Sequence, residues 1–104
     1  MATKEQIDGW KSKHGEVFRL SSGGQNVVVR LPTMMETDAF VLGRAEPETT
    51  SEAHRTLLRD CVLEPEADEL EALFNRRSAI HLPLAQKLIA LAGAATEEVA
   101  VQGL

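Results

Sequence analysis

Apolar residues change their spacing repeatedly along this chain, and each change predicts a new element. Thr3 and Gln6 have the spacing of a capping box, in which two side chains satisfy free backbone N–H groups at a helix start. They predict a short helix reaching about Lys13 and stopping at His14-Gly15. From Glu16 the period becomes two: Val17, Phe18 and Leu20, then Ser-Ser-Gly-Gly-Gln-Asn over 21–26, then Val27, Val28, Val29 and Leu31. Two glycines between runs rich in β-branched residues predict an antiparallel hairpin over about 16–31, its turn set within Ser21 to Asn26. Pro32 ends the second strand because it has no N–H to donate. Thr33 and Glu36 then form a second capping box, opening a helix to about Ala45. Met34, Met35, Ala39, Phe40, Val41 and Leu42 make that helix apolar on more than one side.

Glu46-Pro47-Glu48-Thr49-Thr50 is polar and contains a proline, which predicts a mobile linker. A third helix is expected from about Ser51. Leu57, Leu58, Cys61 and Val62 fall on one stripe of it, and Glu52, Arg55 and Arg59 on the other side. Pro65 suits the first position of a fourth helix, with Ala67, Leu70, Leu73 and Phe74 as its apolar stripe. Its acids gather at the start and Arg76-Arg77 at the end, which complements the helix dipole. A fifth helix begins near Leu82-Pro83, carries Leu84, Leu88, Ile89 and Leu91, and stops about Gly93. The expected fold is therefore mainly α with a small β-hairpin, an α+β domain. Its order is an N-terminal helix, the antiparallel hairpin, and a bundle of three to four short helices. One domain should cover 1–93, leaving 94–104 as a weakly patterned C-terminal tail.

Composition narrows the function classes. The chain of 104 residues is 43% hydrophobic and 26% charged, the balance of a folded domain. Its net charge of −5 is uneven: six Lys and Arg stand against thirteen Asp and Glu beyond residue 35. An acidic domain without a basic stripe lacks the electrostatic attraction that carries most nucleic-acid binding, so nucleic acid is not expected as a partner. The single cysteine, Cys61, excludes an intrachain disulfide and points to a reducing cytoplasm. Lys4, Glu5 and Asp8 interrupt what a signal peptide would need as an apolar stretch, and no run reaches the length of a membrane span, so neither export nor membrane insertion is expected.

Candidate chemistry is sparse. Gly23-Gly24-Gln25 matches the tripeptide with which peptide-release factors position water against peptidyl-tRNA, giving one alternative reading as a peptidyl-tRNA hydrolase-like factor. The longer glycine-rich loop and basic tail of such proteins are missing, and a hairpin turn needs only glycine's tolerance of positive φ. His54 and Cys61, seven residues apart on one helix, stand about 10 Å apart along its axis, too far for a thiolate-imidazole pair. No histidine pair has the three- or four-residue spacing of helical metal ligands. Glu64, Glu66, Asp68, Glu69 and Glu71 lack the alternating ligands and glycine of a calcium loop and fit a charged helix start. Catalytic, cofactor and metal residues are accordingly expected to be none, and the chain is expected not to be an enzyme. Met34-Met35 beside Phe40 reads either as core or as the adaptable surface that methionine supplies for partner binding.

The order of segments carries a resemblance. Lys13-His14-Gly15-Glu16-Val17 enters the hairpin, and Val29-Arg30-Leu31-Pro32-Thr33 leaves it for a helix. Leu58-Arg59-Asp60-Cys61-Val62-Leu63 then precedes a proline and the helix of Leu70, Leu73 and Phe74. Over about residues 10–93 this resembles bacteriophage tail assembly chaperones. The resemblance implies a non-enzymatic cytoplasmic protein that binds hydrophobic helical segments of the tape measure protein and is absent from the mature virion. It also implies that self-association or a longer frameshifted form could accompany it. Met34, Met35, Phe40, Leu84 and Leu88 are the expected contact residues. A structural virion or adaptor protein of a phage tail is the alternative that the same composition permits.

Overall fold

Each capping box closes as its spacing requires. In the computed structural model, which describes residues 2–94 and Gly103, the Thr3 side chain accepts from the Gln6 N–H while Gln6 accepts from the Thr3 N–H. Helix α1 follows over Lys4–His14 and ends at Gly15, whose φ of 82° suits glycine. Strand β1 spans Val17–Ser22 and β2 spans Gln25–Arg30, paired antiparallel with Ser22 opposite Gln25. Only Gly23 and Gly24 lie between them, with φ of 56° and 81°, the two positive values a type I′ turn needs. The hairpin is tighter than its sequence suggests: Ser21, Ser22, Gln25 and Asn26 belong to the strands. The Ser21 hydroxyl, bonded to the Asn26 side chain across the ladder, helps hold them there.

Thr33 and Glu36 cap α2, Met34–Arg44. The expected linker that follows is a hydrogen-bonded turn. The Thr49 hydroxyl shares its proton between the Gly43 and Glu46 carbonyls, and that of Thr50 between those of Arg44 and Glu46. Threonine hydroxyls thus cover carbonyls that the end of α2 leaves free. Helix α3 runs over Thr50–Cys61, and the chain then turns extended at Val62. Val62–Glu64 forms β3, which pairs antiparallel with the free edge of β2 through an irregular register at Val28 and Val29. The strand corrects the expectation that Val62 continues the α3 stripe. Two influences act against the helix: Pro65 keeps Glu64 before it out of the helical region, and the free edge of β2 gives Val62 and Glu64 a strand to pair with. Pro65 itself sits ahead of helix α4, Ala67–Arg76, for which Glu66 is the N-cap.

Helix α5 covers His81–Ile89 and passes into a wide π-type turn over Ala90–Ala94, within which Gly93 takes a φ of 112°. The tail expected over 94–104 lies, apart from the backbone of Ala94 and Gly103, outside the described residues. The architecture is thus the α+β fold its pattern predicts, with one more strand: the described residues form a three-stranded antiparallel sheet ordered β1-β2-β3 and five α-helices. Leu20, Val27 and Val29 project from one face of the sheet onto Leu57, Leu58, Leu73 and Leu88, which form the centre of the core. Val28, on the opposite face by the alternation of a strand, is buried apart from that core. Among the described residues no helix is long and apolar enough to cross a membrane.

Candidate functional site

Helix α2 packs principally on α3, and two features fix that packing. Gly43 faces Ala53 so closely that a Cβ placed on it would stand 2.8 Å from the Ala53 Cβ. The Arg30 guanidinium donates to both Glu36 carboxylate oxygens at 2.8 Å and to the Asp60 carbonyl at 2.7 Å. One side chain therefore joins the end of β2, the start of α2 and the last turn of α3. Its hydrogen bonds hold the Glu36 carboxyl well below the usual carboxylate range, at about 2.

Beneath α2 lies a pairing that no sequence spacing announced. His54 on α3 and His81 on α5, twenty-seven residues apart, bring their Nδ1 atoms to 3.2 Å, and both rings are buried. The Phe40 ring stacks on His54 with centroids 5.4 Å apart. Two neutral imidazoles satisfy this contact only if one donates from Nδ1 and the other accepts there, so a second proton would break it. Burial lowers both histidine pKa values; Arg44 and Arg55 add to this at His54, as do His54 and Arg55 at His81. The arrangement is a lock between helices, and its charged surroundings repel a cation. Among the described residues, no three of His, Cys, Asp and Glu gather as a metal centre would need. Cys61 is fully buried, and desolvation pushes its thiol up to about 12, which keeps it protonated at neutral pH.

The five expected contact residues divide. Met34 and Met35 are 82% and 81% exposed. Phe40, Leu84 and Leu88 are 5%, 3% and 0% exposed, so these three belong to the core and leave the candidate contact surface. Phe40 turns inward to His54, and Leu84 and Leu88 are enclosed because α5 packs on both α3 and β1. In their place the structure adds Leu42, 75% exposed, and Val41, 48% exposed. With 3.6 residues per turn, Met34, Met35, Val41 and Leu42 share the side of α2 opposite Phe40 and Gly43. Exposed Asp38 lies in the middle of them. The double-sided pattern of α2 was the available signal for this stripe; which side would be covered was not.

Elsewhere, Gly23 and Gln25 line an open cleft of about 410 Å³ with Ser22, Arg77, Ser78 and Ile80. Turn geometry accounts for both glycines of the tripeptide there. The acidic run at 64–71 spreads over β3 and the first turns of α4, and Glu71 is held by Arg59, which also reaches Glu52. That charged cluster joins α3 to α4 on the surface.

A protein family described as a domain of unknown function, DUF6848, matches residues 10–101. The chain belongs to that family. No curated protein matches it. A solved structure with the fold of this DUF6848 domain is that of an uncharacterised protein, rbstp2171, from Bacillus stearothermophilus. It is 19% identical, covers 94% of this chain and 98% of its own, and superposes with a TM-score of 0.73. At that identity the likeness speaks for the DUF6848 fold and for nothing beyond it.

Proposed function

We propose that this domain is a non-enzymatic assembly chaperone of the phage tail type, which holds apolar helical segments of a tape measure protein in the host cytoplasm. The observation that carries the reading is the outer side of α2, where Met34, Met35, Val41 and Leu42 lie open on a single helical stripe. An open stripe of large apolar side chains on a small domain marks an interaction site, and a helix laid along such a stripe is a common mode of peptide recognition. Two methionines suit a chaperone that must accept several segments of differing shape, because the unbranched thioether repacks at little cost. The inner side of α2 is fixed by the Arg30–Glu36 pair and the Gly43–Ala53 contact, so the outer side is presented in advance. Less conformational freedom is then lost on binding. The acidic character of the chain keeps it soluble while it carries apolar cargo.

Co-expression with the cognate tape measure protein tests this. The partner is expected to stay soluble and to co-purify, and Leu42→Glu should abolish both while leaving the circular dichroism of the chaperone unchanged. A tape measure protein that precipitates equally with and without the chain would sink the reading. The chain is further expected to be absent from purified particles by mass spectrometry.

A further inference from the structure

We infer that the occupant of the α2 face is an amphipathic partner helix that presents a lysine or arginine to Asp38 from the middle of its own apolar stripe. The inference rests on the protein-binding reading above and specifies the chemistry of the partner. Asp38 follows Met34 and precedes Leu42 by four residues, and it stands three from both Met35 and Val41. It therefore occupies the centre of the stripe. Its side chain is exposed and, among the described residues, has no hydrogen bond or ion pair. Glu36, the other acid of this helix, is already bound to Arg30 on the inner side.

A helix seated on Met34, Met35, Val41 and Leu42 must cover Asp38. Covering a carboxylate without a partner is strongly unfavourable, whereas a cation placed against it restores an ion pair in a less polar setting. The surroundings point to the same sign. Glu46 and Glu48 follow directly on α2, and the chain beyond residue 35 is predominantly acidic. The nearest cation on the helix, Arg44, lies over the Phe40 ring at 5.5 Å, on the flank of the stripe. Electrostatic complementarity of this kind chooses among partners that an apolar stripe alone would accept alike.

The same placement disfavours a second copy of the chain. Two α2 helices related by a two-fold axis overlap their stripes fully only when the axis passes near the midpoint, which is Asp38. Like charges would then meet at the centre. The described length of α2 spans about 16 Å, so the partner segment is about three helical turns long.

Three labelled synthetic helical peptides of eighteen residues test the inference against the full chain by fluorescence anisotropy. They share a leucine and alanine stripe and differ only at its central position, which is Lys, Glu or Leu. The Lys peptide is expected to bind about tenfold more tightly than the Glu peptide at low salt, with the gap narrowing at high salt. Asp38→Asn should erase that preference and Asp38→Lys should reverse it, whereas Glu69→Gln, far from α2 in sequence, should keep it. Equal binding of the Lys and Glu peptides, or a preference that survives Asp38→Lys, overturns the inference and leaves the apolar docking reading standing. Failure of all three peptides, together with failed co-purification of the tape measure protein, overturns that reading as well. Sedimentation that shows the free chain to be a dimer blocking all three peptides would overturn the inference in favour of a second copy.

Discussion

Helices α2 and α5 flank α3, and their apolar residues meet different fates. α5 lies against α3 and β1, and its Leu84, Ala85 and Leu88 are closed off from water. α2 leans mainly on α3, buries Phe40, and leaves Met34, Met35 and Leu42 open. Both helices carry enough apolar residues to need cover on a wide arc. For α5 the chain itself supplies most of it, because the hairpin lies beside the helix, and Leu82 is left 43% exposed. For α2 only one side is supplied. The difference teaches that apolar content states how much cover a helix needs, while topology decides whether the cover comes from within the molecule.

Truncating one leucine on each helix should break the symmetry most plainly. Leu88→Ala leaves a cavity in a fully buried site and is expected to cost about 3–4 kcal/mol in urea unfolding, against less than about 0.5 kcal/mol for Leu42→Ala. Equal losses would mean that α2 is as enclosed as α5. Next in size, Arg30→Met leaves the Glu36 carboxylate with the Thr33 N–H but without its ion pair and frees the Asp60 carbonyl, for an expected loss of about 2 kcal/mol. Because that clamp holds α2, amide exchange should quicken in α2 before it does in α5.

The histidine lock sharpens the comparison through pH. Burial first, then nearby positive charge, lowers both pKa values in the folded state, so below the ordinary histidine value of about 6.5 the unfolded chain takes up protons that the folded chain resists. Stability is therefore full above that value and declines as pH falls beneath it. The slope is bounded at about 1.4 kcal/mol per pH unit for each histidine. Unfolding curves between pH 7.5 and 5.5 measure it apart from Glu36, which titrates lower; His81→Phe should roughly halve the slope. A flat profile in the unmodified chain would remove the lock. The smallest effect concerns the α2–α3 crossing. Gly43→Ala improves helix propensity yet sets a Cβ against Ala53, and the expected net loss is about 1 kcal/mol in thermal unfolding. A gain would show that α2 can lift off α3 freely.

Much of the local structure was legible in the residues. Thr3 with Gln6 and Thr33 with Glu36 announced helix starts that the structure reproduces, since a capping box depends only on a four-residue geometry. Gly23-Gly24 announced the turn for the same reason, because only a two-glycine φ pattern was at stake. The strand Val62–Glu64 was less legible. Helical spacing favoured continuing α3, and the decisive influences were Pro65 and the unpaired edge of β2, the second of which is visible only in the fold.

The candidate site was half legible. Met34 and Met35 stood out by composition, but Phe40, Leu84 and Leu88 were indistinguishable from them as apolar helical residues. Asp38 drew no notice as one acid among many, and it matters because its neighbours on the helix surface are apolar and open. His54 and His81 offered no spacing signal at all, since their meeting depends on where α3 and α5 cross.

By itself the sequence determined the helices and the hairpin, their order, the α+β class and a surplus of apolar surface on the second helix. Those follow from interactions between residues a few positions apart, which any single chain displays. The tertiary structure alone decided which leucines are core, which histidines pair, and which side of α2 remains open. Burial depends on segments distant in sequence arriving at the same place, and that arrival is a property of the whole packed chain.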